Sequence, residues 1–376
     1  MPSRRELLLG LAWGPILARC AFAQTAAAGT SSSAPTRGFA CALGEQADAL
    51  RLPQPRRHGE SIALALAGTP RTTDDDLAAL TGRRDSTWIE LSASELVGFD
   101  EGPLARRIRA AGSVCLMEGS VLQWLLALWP ARRRSELRSA LIECAESGGR
   151  LIGRGSTAFL VASGGVVRGP TADEPGESRL RASNPRNCGE PRLAQGLDLG
   201  GDFIVDTDAR SNGSLLRLLS TLVDHHLDRG LQLGAHSAVS CDLESRAWTS
   251  LGTEPLLFID LQGSRRGTRS IGDARISTLS AGDGWRRAER RLFSVGEACD
   301  FELESSEQSV PDALLSPALR APPRVRQVLR DDRVRIELRR GTESAAFVGP
   351  GEHPARGFRM ALDVTLARGN FGELGP

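Results

Sequence analysis

Gly149-Arg150-Leu151-Ile152-Gly153-Arg154-Gly155-Ser156-Thr157-Ala158-Phe159 is the stretch on which the fold turns. A short apolar strand, Leu151-Ile152, runs into a Gly-rich turn, then a serine, then an apolar helix from Ser156 to Val161. This is the layout of a nucleophile elbow. The tight turn lifts the hydroxyl above a sheet, and backbone N–H groups at the helix start can stabilise an oxyanion. A Gly-Ser helix start is also a plain N-cap. The surrounding segments have to decide between the two.

Upstream, short apolar runs alternate with helical stretches. Phe39 to Leu43, Ile62 to Leu66, Trp88 to Leu91 and Val114 to Met117 read as strands. Asp74 to Leu80, Leu104 to Ala111, Val121 to Trp129 and Arg134 to Glu146 read as helices, the last ended by Gly148-Gly149. Downstream, Phe203 to Val205, Ala238 to Ser240 and Leu256 to Leu261 read as strands, and Leu215 to Leu227 as a long helix. Such alternation predicts an α/β fold with a mostly parallel sheet flanked by helices. Active sites in such folds lie at the carboxyl ends of the strands. From about residue 303 the pattern changes. Val334, Ile336 and Leu338 alternate with charged residues, and Met360, Leu362, Val364 and Leu366 do the same. Residues 303–376 therefore read as a small C-terminal β appendage.

The N-terminus has a different character. Arg4 and Arg5 precede an apolar stretch, Leu7 to Leu17, and then Ala21-Phe22-Ala23. Residues 1–23 read as a signal peptide, too short in its apolar part to span a bilayer permanently. The order Ser3-Arg4-Arg5-Glu6-Leu7-Leu8 resembles a twin-arginine signal. Residues 24–36 are small and polar and read as a flexible linker. The expected location is periplasmic or secreted. No later stretch is long and apolar enough to suggest a membrane span.

The chain has 376 residues and a formal net charge of +1, which argues against a general nucleic-acid or membrane-surface binder. Every one of the 47 cationic residues counted as Lys or Arg is Arg, and Tyr is absent. That excludes lysine bases, Schiff-base lysines and tyrosine acids. Loss of residues 1–23 leaves six cysteines (Cys41, Cys115, Cys144, Cys188, Cys241 and Cys299), an even count that permits up to three disulfides. Cys115 and Cys144 lie in apolar segments and read as buried thiols. No Cys/His cluster has zinc spacing, so neither a metal nor a cofactor is expected.

Several segments in order resemble the cyanophycinase and aspartyl-dipeptidase family of serine peptidases, whose sheet is like that of class I glutamine amidotransferases. The family pattern runs from a strand ending in Gly-Gly-Asp/Asn-Gln to Gly-Gly-Thr-Ser-Ala-Gly-Ala. It continues with Asp-Gln-His-Phe, an Arg-rich segment, and Gly-Ile-Gly-Ile-Asp-Glu. Here the corresponding segments are Glu118-Gly119-Ser120-Val121, Gly153 to Phe159, Asp206-Thr207-Asp208-Ala209 with Arg217-Leu218-Leu219, and Gly230 to Ala238. Ile276 to Arg286 resembles the closing element. The resemblance covers residues 37–297 or so, within an α/β domain read as 37–302.

The resemblance implies Ser156 as nucleophile, with backbone N–H groups of Gly119 and Thr157 as oxyanion donors. The departures are as informative. The family's base His falls at Asp208 and its orienting acid at Ala235. The pocket Gln falls at Val121, and two of three Arg fall at Asn212 and Ser214. His236, one position past the lost acid, and Asp208 are the replacement bases to consider. Asp206 and Arg217 remain as substrate-side candidates, with a structural role the alternative for Asp206 at a strand end. A serine hydroxyl needs a proton acceptor. Two readings follow. One is an exported, catalytically impaired protein that binds a peptide or small molecule. The other is an active serine peptidase or isopeptidase with a rebuilt site, acting on aspartyl-arginine-like peptides.

Overall fold

The computed structural model describes residues 37–47, 52–81, 86–92, 102–129, 135–167, 192–199, 203–207, 212–267, 270–289, 291–295, 297–299, 327–330, 334–339, 344–348, 356–358 and 360–366. The leader and linker expected over residues 1–36, and Asp208, lie outside these residues.

The first part of the chain is a run of strand–helix units. These are β1 (Phe39–Leu43), β2 (Ser61–Leu66), α1 (Asp74–Thr81), β3 (Thr87–Leu91), α2 (Pro103–Ala110), β4 (Ser113–Leu116), α3 (Val121–Leu128), α4 (Glu136–Glu146) and β5 (Arg150–Arg154). Their caps are local. The Ser120 hydroxyl accepts the Gln123 N–H at the start of α3, and the Ser135 hydroxyl accepts the Arg138 N–H at the start of α4. The strands pair in parallel in the order β1-β5-β4-β2-β3. Both faces are covered. Leu151 and Val114 pack with Ile108, Trp124 and Leu137 of α2, α3 and α4, whereas Ile152 and Cys115 pack with Leu77 and Leu80 of α1. Alternate strand residues point to opposite faces, so a fully buried run is what a doubly covered sheet requires.

The chain then passes through β6 (Gly164–Val167), β7 (Arg192–Gln195), β8 (Ile204–Asp206), α5 (Asn212–Asp224), β9 (Arg229–Gln232), β10 (Ala238–Asp242), β11 (Ala247–Ser250) and β12 (Leu256–Asp260). After these come β13 (Arg265–Arg266), β14 (Ser270–Leu279), β15 (Gly284–Arg286), β16 (Arg291–Phe293) and β17 (Glu297–Cys299). The last strands are β18 (Gln327–Arg330), β19 (Val334–Arg339), β20 (Ala345–Val348), β21 (Arg356–Phe358) and β22 (Met360–Leu366). Strands β10, β11, β15 and β16 extend the first sheet beyond β1, all antiparallel. A second sheet runs β18-β19-β22-β14-β12-β9-β8-β6-β7, parallel only across β6-β8-β9. β17, β20 and β21 form a third, small sheet.

The fold is α/β, but its sheets are mixed, so the expectation of a mostly parallel sheet is corrected. The reason is connection length. β10 joins β11 through residues 243–246 and β15 joins β16 through residues 287–290. A parallel pair needs a crossover of a dozen or more residues, whereas a short turn forces a hairpin. The first of these turns is built by Asp242, whose carboxylate accepts the N–H groups of Glu244 and Ser245, and by Arg246 at φ 54°. The two large sheets meet through aromatic rings. Phe203 contacts Trp248 edge-on at 4.5 Å between centroids, and Phe258 stacks on Trp285 at 5.3 Å. Helix α5 covers the other face of the second sheet with Leu215, Leu218, Leu219 and Leu222. β22 pairs with β14 and so ties the C-terminal strands to that sheet.

Candidate active site

The register of the parallel strands builds the site. Leu43 of β1 pairs with Arg154 of β5, and Leu116 of β4 pairs with Gly153 of β5. The three strands therefore end in one row. Two residues beyond each end stand Glu45, Ser156 and Glu118. This is the carboxyl edge at which open α/β sheets place their ligands.

The turn after β5 needs its glycines. Gly155 has φ +54°, a left-handed conformation that costs other residues. A Cβ there would also lie 3.0 Å from the Glu118 carboxyl and 3.2 Å from Glu45 Cγ. At Gly153 a Cβ would collide with the Thr157 carbonyl, because the returning 3₁₀ helix, Gly155–Val161, lies directly on the strand. Thr157 is fully buried and staples the turn. Its hydroxyl accepts the Arg154 N–H at 2.9 Å and donates to the Leu116 carbonyl at 2.7 Å.

Ser156 is half-buried, and its hydroxyl is satisfied by the backbone of one residue, Gly119. It accepts the Gly119 N–H at 3.1 Å and donates to the Gly119 carbonyl at 2.9 Å. No imidazole among the described residues hydrogen-bonds it. A cleft of about 600 Å³ opens beside this pair. Its wall includes Leu66, Gly68, Thr69, Glu118, Gly119 and Arg154.

No family model matches this chain. No curated protein matches it either. Solved structures similar to it include the crystal structure of a peptidase from an acI-B1 Actinobacterium. That likeness has a TM-score of 0.42 at 13% identity and covers 67% of this chain and 98% of the other.

The structure adds a pair that the motif reading passed over. The Glu118 and Glu45 carboxyl groups face each other over Gly155. Burial holds Glu118 above the ordinary carboxylate range, the Glu45 charge and hydrogen bond add to this, and Arg154 opposes them. Arg154 fixes the Glu45 loop from below, donating from Nε and Nη2 to the Glu45 carbonyl at 3.0 and 2.7 Å. The Thr69 hydroxyl donates to the Glu118 carbonyl at 3.3 Å.

The other candidates are placed as follows. His236 is exposed, and its Nδ1 lies 2.9 Å from the Gln46 carbonyl. A carbonyl only accepts, so Nδ1 carries the proton. The His236 N–H donates to the Glu254 carboxylate at 3.1 Å. His236 is thus joined to the loop that carries Glu45, with no bond to Ser156. Asp206 and Arg217, on β8 and α5, are brought together. The Arg217 guanidinium grips the Asp206 carboxylate at 3.0 Å through Nε and 2.7 Å through Nη2, with both side chains buried. The Gly119 N–H, proposed from the sequence as an oxyanion donor, is engaged by Ser156 itself, and Thr157 directly follows the serine. Among the described residues no three His, Cys, Asp or Glu side chains are grouped to hold a metal ion. No helix among them is long and apolar enough to cross a membrane.

Glu45 and Glu118 carry a sequence signal of position only. Each lies two residues past a buried parallel strand, as Ser156 does. Periodicity finds the strand ends but does not say which strands are neighbours.

Proposed function

We propose that this chain is an exported, cyanophycinase-like protein of the serine-peptidase type, on a class I glutamine amidotransferase-like scaffold. It keeps the elbow serine, has no imidazole bonded to it among the described residues, and binds a peptide or small molecule in the cleft lined by Gly119. One observation carries the reading: the Ser156 hydroxyl donates to the Gly119 carbonyl rather than to an imidazole. A backbone carbonyl does not take a proton at ordinary pH, whereas a triad histidine does. The His236 ring, the nearest candidate by sequence, is turned to Gln46. Loss of a triad member leaves a residual catalysis of roughly 10³–10⁴ over water, far below an efficient peptidase.

The test is kinetic. Mature protein and Ser156→Ala are exposed to a fluorophosphonate probe at neutral pH, beside an efficient serine peptidase. Aspartyl-arginine dipeptides are assayed in parallel. Slow or absent labelling without peptide turnover is expected. Labelling at the peptidase's rate with turnover, both abolished in Ser156→Ala, would overturn the reading. Binding is read by a peptide and metabolite screen, with hits lost on filling the cleft by Gly119→Leu.

A further inference from the structure

We propose that Glu118 is the proton acceptor for Ser156, and that with Glu45 it makes the elbow a slow, carboxylate-assisted nucleophile toward esters with good leaving groups. This presupposes that Ser156 centres the site and goes beyond binding by giving the serine a reaction.

Glu118 directly precedes Gly119, whose N–H and carbonyl hold the serine hydroxyl. Its carboxyl lies against Gly155, which directly precedes Ser156. Glu118 and Ser156 therefore each lie one residue from these contacts, in the turns after two strands held in parallel register. The other titratable group of the edge able to take a proton is Glu45, on the loop after β1 and behind Glu118.

The surroundings tune the acid. Glu45 faces Glu118 from the β1 loop, and Arg154 faces it from the end of β5. From the β2 side the Thr69 hydroxyl binds the Glu118 carbonyl, and the Glu90 carboxylate accepts the Gly68 N–H. His236 stands behind Gln46, one residue from Glu45. Two carboxyls in one site cannot both ionise freely, which moves one of them toward neutral pH and makes it a stronger base once ionised. The desolvated position of Glu118 acts in the same direction.

The step balances without a further reactant. The Ser156 hydroxyl leaves the Gly119 carbonyl and its oxygen bonds to the acyl carbon. Its proton passes to the Glu118 carboxylate. The bond from the acyl carbon to the leaving oxygen breaks, and a phenolate departs with the electron pair. The Glu118 carboxyl then gives the serine proton up to solvent; water attacks the acyl-serine, one of its protons passes to the re-ionised carboxylate, and that proton is handed to the Ser156 oxygen as the acid product leaves. Amine leaving groups need protonation as they depart, so peptides are poor substrates.

The experiment is the pH dependence of fluorophosphonate labelling and of 4-nitrophenyl acetate hydrolysis, from pH 4 to 9, on the mature protein. Variants are Ser156→Ala, Glu118→Gln, Glu118→Asp and Glu45→Gln, each checked for a cooperative thermal melt that shows a folded chain at the assay temperature. Labelling is expected to vanish in Ser156→Ala and to fall about 10²-fold or more in Glu118→Gln. Glu118→Asp is expected to recover part of the rate, which a folding defect would not allow. The rate is expected to rise through one carboxyl step, moved to lower pH in Glu45→Gln. Serine-dependent labelling that is unchanged in Glu118→Gln overturns the proposal and leaves the binding reading intact. Absence of labelling at every pH does the same. Rapid labelling with peptide turnover that persists in Glu118→Gln overturns both.

Discussion

The Ser156 hydroxyl and the Gly119 backbone satisfy each other twice, one bond to the N–H and one to the carbonyl, at 3.1 and 2.9 Å. The pair joins the turn after β5 to the turn after β4. It also parks the serine proton on a group that is not a base. Ser156→Ala removes both bonds and leaves the Gly119 groups to the cleft. The expected cost is about 1–2 kcal/mol in urea unfolding. A stability gain instead would show that the pair is strained.

Gly155 is tied to Glu118 by space as well as by conformation. At φ +54°, with Glu118 3.0 Å from the place of a Cβ, Gly155→Ala meets two costs. The backbone part alone is about 1 kcal/mol or more. The steric part depends on Glu118, so a Glu118→Ala background should reduce the penalty. A double-mutant cycle measures this coupling, and additivity would place Glu118 away from Gly155.

The Asp206–Arg217 pair is buried and bidentate, with side-chain exposures of 2% and 8%. Removing one partner breaks this buried ion pair and leaves the other charge desolvated. Arg217→Ala or Asp206→Ala is expected to cost about 3–5 kcal/mol, whereas a double replacement by apolar residues should cost much less. Chemical unfolding of the three variants provides the comparison.

Stability should fall with rising pH on account of Glu118. Its folded pKa is raised, so the folded chain keeps a proton that the unfolded chain has lost. The folded state then binds more protons, and stability declines from the ordinary carboxylate range up through the raised value. Asp260 and Asp224, raised by burial, act with the same sign. Glu60, lowered by its hydrogen bond from Arg107, acts oppositely and loses its contribution as pH falls. Subtracting the Glu118→Gln unfolding curve isolates the term. The variant should gain on wild type as pH rises from 4 to 8, and parallel curves would contradict the shift.

Cys41, Cys115, Cys144 and Cys241 are free and buried, so none of the described four forms a bridge. Burial pushes the Cys115 thiol up to about 12 and the Cys144 thiol to about 11, and raises Cys41 and Cys241 as well. Only the thiolate reacts. These four should resist a disulfide reagent at pH 8 in the native state and react at once in denaturant. Rapid native labelling of any of them, located by mass spectrometry, would contradict their burial.

Much of the first sheet was legible in the chain. Phe39–Leu43 is a strand with the bounds its apolar run suggests, and Val121 begins a helix capped by Ser120. The elbow was legible too, because Gly153, Gly155 and Ser156 report on a turn that closes within a few residues. The hairpins that make the sheets mixed were less so. Ala238–Ser240 reads as a strand, whereas Ala247–Ser250, with Thr249 and Ser250, gives no strand signal, and only the short link between them forces the pair antiparallel. β6, β7 and β9 carry Gly or Arg within short strands and gave no clear period.

By itself the sequence determined what depends on neighbours along the chain: strand and helix periods, caps, the glycine turn before Ser156, and the absence of lysine and tyrosine. Tertiary structure alone decided what depends on neighbours across the sheet. It set β5 between β1 and β4, and so brought Glu45 and Glu118, 73 positions apart, over one glycine. It also turned His236 toward Gln46 and closed Arg217 on Asp206. Local periods arise from the fixed geometry of a few peptide units. Strand order arises from burying both faces of a sheet at once, a property that no short segment carries.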